Sequence, residues 1–259
     1  MNPKISIITV CYNSETHIEE AILSVINQSY KNKEYIIIDG GSTDRTLSII
    51  QKYKDKIDYF VSEPDKGISD AFNKGIKAST GDVIGIINSD DKLEDGALQL
   101  VADNYEEGID LYRGITKIWN DRSNFIFEEH PTMDWPKIPV KLRVAHQSTF
   151  VSKRVYEELG CFNVNLKYSM DLDLLLRFDR NNVQQKYINR SLAIYRLGGV
   201  SQSNERKRMN ELCEVLTLNG SSKFQVMCFR LYYKCRLLTK HIITSLGGDD
   251  FRFKFSKTF

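Results

Sequence analysis

"ISIITVCYNSETHIEEAILSVINQ", residues 5–28, decides the architecture. Its first six residues are a nearly continuous β-branched run, the pattern of a strand covered on both faces. A polar turn, "CYNSET", follows. Ile18, Ala21, Ile22, Val25 and Ile26 then recur on one helical face, and Thr16 with Glu19 is spaced for a capping box. The same strand–turn–helix unit returns three times. "EYIIID" (34–39) precedes "TDRTLSIIQKY", "DYFVSE" (58–63) precedes "GISDAFNKGIKAS", and "DVIGIIN" (82–88) precedes "EDGALQLVADNYEE". Four successive units predict a parallel, right-handed, doubly wound sheet.

After residue 110 the rhythm changes. "DLYRGITKIW" and "SNFIFEE" read as strands, "SKRVYEELG" and "SMDLDLLLRFDR" as helices, and "QKYINRSLAIYRL" as a long strand. This half is expected to form a mixed sheet packed onto the first half rather than a domain of its own. "NERKRMNELCEVLTL" and "KFQVMCFRLYYKCRLLTKHIITSL" are helical.

At 259 residues the chain holds one full core, and 41% hydrophobic with 27% charged residues is an ordinary globular composition. The net charge of +2 is unevenly distributed: residues 220–259 carry eight Lys or Arg against two acids. Five scattered cysteines without a C-x-x-C pair indicate neither a zinc cage nor a disulfide framework, but reduced thiols. No run reaches the 18 or so apolar residues of a membrane span, and the N-terminus reads as a strand, not a signal peptide.

In an open parallel sheet, ligands bind beyond the carboxyl ends of the strands. Those ends here carry "CYNS" (11–14), "DGGSTD" (39–44), "EPDKG" (63–67) and "NSDD" (88–91). One acidic loop would read as a solvated face. Polar chemistry at all four corresponding ends marks a site. A dinucleotide fold would need G-x-G-x-x-G after the first strand, where this chain has "CYNSET", and no P-loop occurs. Adjacent carboxylates, Asp90 and Asp91, stand at the fourth end. Two such charges about 4 Å apart repel by roughly 4 kcal/mol at an effective dielectric of 20, so something must offset them. A hard divalent ion carrying a phosphate is one such partner.

With these residues in view, the chain resembles the family 2 glycosyltransferases, inverting enzymes of the GT-A fold, in the branch that builds bacterial O-antigens, capsules and exopolysaccharides. The resemblance rests on "ISIITVCYNSETHIEEAILSVINQSY", "EYIIIDGGSTDRT", "SEPDKGISDAFNKGIKASTGDVIGIINSDD", "AHQSTFVSKRVYEELGCFN", "MDLDLLLR" and "YRLGGVS", in that order. It implies an α/β fold with a Rossmann-like, mostly parallel sheet flanked by helices and a C-terminal helical extension. Residues 1–204 would be the catalytic domain, and 205–259 a basic extension.

The resemblance also implies roles. Thr9, Cys11, Tyr12 and Asn13 would wall the base of a nucleoside diphosphate. Asp39 would accept a hydrogen bond from the base ring, which suits uracil or thymine. Asp65, Lys66 and Gly67 would line the nucleotide cleft, with Asn88 and Ser89 beside the ribose. Asp90 and Asp91 would reach the diphosphate through Mg²⁺ or Mn²⁺. Inverting displacement needs a base for the acceptor hydroxyl, and Asp171 matches the acidic position the family uses. Asp173 lies about 200° around the helix, where pairing with Arg177 is its plainer role. His146 and Gln147 would sit near the acceptor or sugar, and Gly198 and Gly199 would belong to a flap over the donor.

The expected reaction moves one sugar, from a UDP-sugar first of all, to a glycan or lipid-linked glycan acceptor. The expected location is the cytoplasm, peripheral on the inner face of the cell membrane. The aromatic and basic helix at 223–246 would meet an anionic membrane surface; the alternative is packing onto the catalytic domain. No nucleic-acid partner is expected. Two rival activities remain: a non-catalytic nucleotide-sugar-binding protein of the same fold, and a sugar nucleotidyltransferase, whose glycine- and arginine-rich first loop is missing here.

Overall fold

The computed structural model describes residues 2–120, 124–133, 145–197 and 205–256. Each strand–helix unit read from the sequence forms: β1 (Ile5–Cys11), α1 (Ile18–Ile26), β2 (Lys33–Asp39), α2 (Thr46–Gln51), β3 (Tyr59–Ser62), α3 (Ile68–Ala78), β4 (Val83–Asn88), the two-residue β5 (Lys92–Leu93) and α4 (Ala97–Asp103). The second half contributes β6 (Leu111–Asn120), β7 (Phe125–Glu129), β8 (Thr149–Ser152), α5 (Lys153–Leu159), α6 (Met170–Arg180) and β9 (Gln185–Arg196). Helices α7 (Glu205–Leu218) and α8 (Lys223–Ser256) follow.

The strands form one sheet in the order β3-β2-β1-β4-β8-β6-β9-β5, with β7 paired to β6. Strands β1, β2, β3 and β4 are parallel, and β6 with β9 continues their direction, while β5, β7 and β8 oppose it. The second half thus extends the sheet of the first, through β8 beside β4. Alternation explains the two-faced core. Ile5, Ile7, Tyr35, Ile37 and Val83 point to the side covered by α1, α2 and α4. Ile8, Val10, Ile36, Ile38, Ile84 and Ile86 point to the side of α3, α5 and α6. Both faces are apolar, which is why these strands lack a polar alternation.

Helices α1 and α2 lie on one face and α3 on the other, so the winding reverses between β1 and β4. That reversal opens a crevice at the carboxyl ends, where the register aligns Cys11 with Asp39, Asp39 with Ser62 and Val10 with Asn88.

Two local expectations give way to tertiary contacts. The capping box at Thr16 and Glu19 does not form: α1 starts at Ile18 without a side-chain cap. Glu19 instead accepts hydrogen bonds from Tyr53 Oη at 2.8 Å and Lys52 Nζ at 3.2 Å, and the Ser14 carbonyl accepts the His17 and Ile18 amides. Helix α7 is built into the catalytic core. Val215 is fully buried in the α3/α5/α6 layer, and Met209, Cys213 and Leu216 pack with Phe229 and Tyr233 of α8 in a third cluster that touches Leu176 of α6.

Candidate active site

The loops after β1 and β2 are sewn together by short polar side chains. The Asn13 amide N–H donates to Ser42 Oγ at 2.8 Å, and Asn13 Oδ1 accepts the Thr43 N–H at 2.9 Å. Asn13 is held in the left-handed region at φ 48°, a conformation asparagine tolerates better than most residues. Asp39 is fully buried. One oxygen accepts from the amides of Gly41 and Ser42 and from Ser62 Oγ; the other accepts from Ser42 Oγ and from Cys11 Sγ at 3.4 Å. With these donors in place, Asp39 organises the wall of the crevice. Burial and the Asp39 charge hold Cys11 as a thiol, well above the ordinary thiol range.

Thr9 is part of β1 itself, where any wall it forms is backbone. It sits inside β1 between two partner strands, fully buried, with its hydroxyl accepting from Tyr35 Oη at 3.1 Å. Its side chain cannot wall a ligand. Tyr12, by contrast, is 63% exposed. A Cβ on Gly40 would lie 2.5 Å from Asp65 Oδ2 and 3.5 Å from the Tyr12 ring, so the absent side chain lets these two residues close on one spot. Asp65 Oδ1 accepts the Gly67 amide at 2.9 Å, and Gly67, at φ 117°, turns the chain into α3. Lys66 is exposed, and its amide donates to Asp70.

The structure divides the acidic pair. Asp91 is 1% exposed; Oδ2 accepts from Gln147 Nε2 at 2.8 Å and Asn88 Nδ2 at 3.1 Å, and Oδ1 accepts the Arg196 amide at 3.0 Å. Burial, and then the neighbouring Asp90 charge, push its carboxyl above the usual range against those hydrogen bonds. Asp91 is therefore a strut that joins β4, the turn at His146–Ser148 and the end of β9, rather than the outward ligand expected from adjacency. Asp90 is half-buried, and among the described residues no donor reaches its carboxylate. Beside it, Asn88 Oδ1 is buried without a hydrogen-bond partner. Ser89 Oγ meets Ser14 Oγ at 2.8 Å, tying this corner to the first loop.

The opposite wall comes from the second half of the chain. Gln147 holds Asp91, while its neighbour His146 places Nδ1 4.0 Å from Asp171 Oδ2 and packs against Phe72 with the rings tilted by 56°. Asp171 stands in the first turn of α6, partly exposed, above an apolar cavity lined by Ile86, Val151, Tyr156 and Leu174. Asp173 points elsewhere: Arg177 at 3.1 Å and Asn219 at 3.0 Å occupy its two oxygens. Gly198 and Gly199 lie outside the described residues.

Sequence reasoning missed Arg196. Its amide anchors Asp91, its Nε donates to the Asp90 carbonyl at 3.3 Å, its guanidinium pairs with Glu20 at 2.9 Å, and it lies over the Trp119 ring. The signal was its place two residues before the Gly-Gly pair. A basic residue alone does not reveal a partner 105 residues away.

A sheet of this order with an acidic corner at its reversal point defines a GT-A type nucleotide-sugar fold. Comparison with known proteins gives the family. Residues 6–155 match Glycosyl transferase family 2, and the chain belongs to that family. It is 30% identical over 192 residues to an uncharacterized glycosyltransferase of Rickettsia typhi, covering 69% of this chain and 59% of the relative. It is 27% identical to the uncharacterized glycosyltransferase EpsJ of Bacillus subtilis, covering 76% of this chain and 62% of EpsJ. Chondroitin synthase of Escherichia coli is 29% identical over 68% of this chain and 26% of its own length. The chain thus spans about three fifths or less of the length of these relatives. Two solved structures share the fold. TarS 1–349 of S. aureus, in complex with UDP-GlcNAc, superposes with TM-score 0.65 and 19% identity over 83% of this chain and 66% of its own. The mannosyltransferase PcManGT of Pyrobaculum calidifontis, in complex with GDP-Man and Mn²⁺, gives TM-score 0.67 and 13% identity over 100% of this chain and 80% of its own. Among the described residues, no helix is long and apolar enough to cross a membrane.

Proposed function

We propose that this glycosyltransferase moves one sugar from a nucleoside-diphosphate donor to a glycan acceptor in bacterial polysaccharide synthesis, by inverting displacement. The observation that carries the reading is the Asp90 carboxylate, half-buried and free of protein donors, beside the unpartnered Asn88 oxygen. Such an arrangement fits a hard divalent ion. Mg²⁺-type sites are completed by one or two carboxylates plus substrate phosphates and water, so a single outward carboxylate suffices. Asp90 would hold the ion, Mg²⁺ or Mn²⁺, and Asn88 would accept from a ribose hydroxyl or a bound water. When bound, the ion supplies positive charge to the departing diphosphate.

Tyr12, Asn13 and Asp65 line the base and ribose, on a wall stiffened by Asp39. Asp171 takes the proton from the acceptor hydroxyl as that oxygen bonds to the anomeric carbon and the bond to the diphosphate breaks. His146 orients Asp171. UDP, the nucleotide of the TarS complex, is the first donor to try, and GDP, that of the PcManGT complex, the second.

The outer face of α8 supports a peripheral membrane role. Phe224, Met227, Leu231, Leu238 and Ile242 are between 59% and 65% exposed, and the sequence has no acid between Glu214 and Asp249. Each basic residue beside an anionic leaflet adds about 1 kcal/mol. A lipid-linked acceptor would bring the substrate to that surface.

A thermal-shift panel of UDP-, dTDP- and GDP-sugars with Mn²⁺ tests the donor. At 100-fold excess over Kd the cognate donor adds about 2.7 kcal/mol, a rise on the order of 5–10 °C. EDTA should abolish both the shift and turnover. Full turnover in EDTA would remove the ion, and no shift with any sugar nucleotide would remove the donor class.

A further inference from the structure

Glu211 lies in the middle of α7, in the part of the chain that reads as a solvated, basic extension. Its carboxylate accepts three backbone hydrogen bonds from the segment that leads into α6. Lys167 N–H reaches Oε2 at 3.0 Å, and Tyr168 N–H and Ser169 N–H reach Oε1 at 2.6 and 2.7 Å. Ser169, the residue before α6, gives no side-chain cap; its own hydroxyl is buried and unpartnered. The glutamate from α7 therefore takes the part that a capping-box acid plays within a helix, accepting the amide of the N-cap residue, and holds the two residues before it as well. Asp171 is two residues further on, and the first turn that carries it closes from Asp173 N–H to the Ser169 carbonyl at 3.0 Å.

Helix α7 is itself held firmly. Val215 and Leu216 are buried, and Asn219 Nδ2 donates to Asp173 Oδ1 at 3.0 Å. Residues 167–169 are thus gripped from a helix seated in the core, while among the described residues Asp171 meets the Leu172 amide and, at 4.0 Å, His146. We infer that Glu211 is a positioning residue for sugar transfer: it fixes the backbone entering α6 and so presents the Asp171 carboxylate. The inference rests on Asp171 being the general base. A displacement of about 1 Å at a reacting group costs up to a hundredfold in rate, so the anchor matters to chemistry even though it touches no substrate.

The test measures turnover of whichever UDP-, dTDP- or GDP-sugar the wild type consumes fastest, with folding checked by circular dichroism and thermal melting. Glu211→Ala is expected to lower kcat by about 30- to 100-fold with donor KM within about twofold. Glu211→Gln keeps one acceptor oxygen for the Tyr168 and Ser169 amides, so its kcat should lie between the two. The double variant Asp171→Asn, Glu211→Ala should be no slower than Asp171→Asn alone. Amide exchange at residues 167–169 should quicken in both Glu211 variants. If Asp171→Asn is inactive while Glu211→Ala retains the wild-type kcat, the positioning role is overturned and the base assignment stands. A rise in donor KM that matches the loss of kcat, or further loss in the double variant, overturns it too. Full activity in Asp171→Asn overturns the base assignment and this inference together.

Discussion

At Asp90 and Asp91 a single peptide bond separates two environments. Asp91 is enclosed by Gln147, Asn88 and the Arg196 amide, whereas no donor among the described residues reaches the Asp90 carboxylate. Asn in place of Asp90 should therefore leave the melting temperature close to wild type while donor turnover falls at least about a hundredfold, as removal of electrostatic stabilisation does elsewhere. Asn in place of Asp91 should do the reverse first. It turns one accepting oxygen into a donor against Asn88, Gln147 or the Arg196 amide, at a cost of about 1–3 kcal/mol in urea unfolding. Asp171→Asn should bind donor normally in the thermal-shift panel and lose about 10²–10⁴-fold in transfer. The family resemblance singled out Asp171, and spacing put the acidic pair just after a strand, where the structure has it. Spacing could not say which of two adjacent carboxylates turns inward, since that depends on Gln147 and Arg196, 56 and 105 residues away.

For the elements, hydrophobic runs located β1 to β4 and their helices because the core contacts repeat along each segment. Strand β5, with two residues, carries no period to read. The capping box failed for a related reason: Thr16 and Glu19 had the right spacing, but Tyr53 and Lys52 offered Glu19 better partners. Element ends also hold a pH-sensitive clamp. Glu34 at the start of β2 accepts from Ser6 Oγ, Thr80 N–H, Thr80 Oγ1 and Lys4 Nζ, joining β2 to β1 and to the approach of β4. Burial alone would raise this carboxyl, yet those hydrogen bonds lower it from 4.5 to about 2. Its contribution is complete above pH 4.5 and disappears as pH falls toward 2. Urea midpoints should drop across that window in the wild type, and Glu34→Gln, less stable at neutral pH, should show a shallower fall.

Across the whole molecule, the sequence already implied a doubly wound sheet with polar residues at four strand ends, and the position of the candidate site followed from them. The role of the C-terminal helices did not follow, because a helix that packs on one side and is apolar on the other shows no clean period. Helix α7 belongs to the catalytic body through Val215, Glu211 and Asn219, whereas α8 contacts α7 through Phe229 and Tyr233 and exposes its far side. Truncation after Gly220 should therefore keep donor turnover and abolish cosedimentation with anionic vesicles, at a stability cost of several kcal/mol from the Met209, Cys213 and Leu216 side chains that it uncovers. Truncation after residue 204 should abolish turnover. Vesicle binding that survives loss of α8 would refute the membrane role of that helix.

The two walls of the crevice come from separate stretches of the chain, with Tyr12, Asp39, Asp65 and Asp90 on one side of α4 and His146, Asp171 and Arg196 on the other. A recombination point between Asp103 and Leu111 would accordingly swap one wall between relatives while leaving the other whole. The β4–β8 and β5–β9 pairings, Asp91 with Gln147 and Arg196, and Arg196 with Glu20 are among the contacts that bridge the cut, so hybrids that retain these partners have the best prospect of folding with donor preference from one parent and acceptor preference from the other.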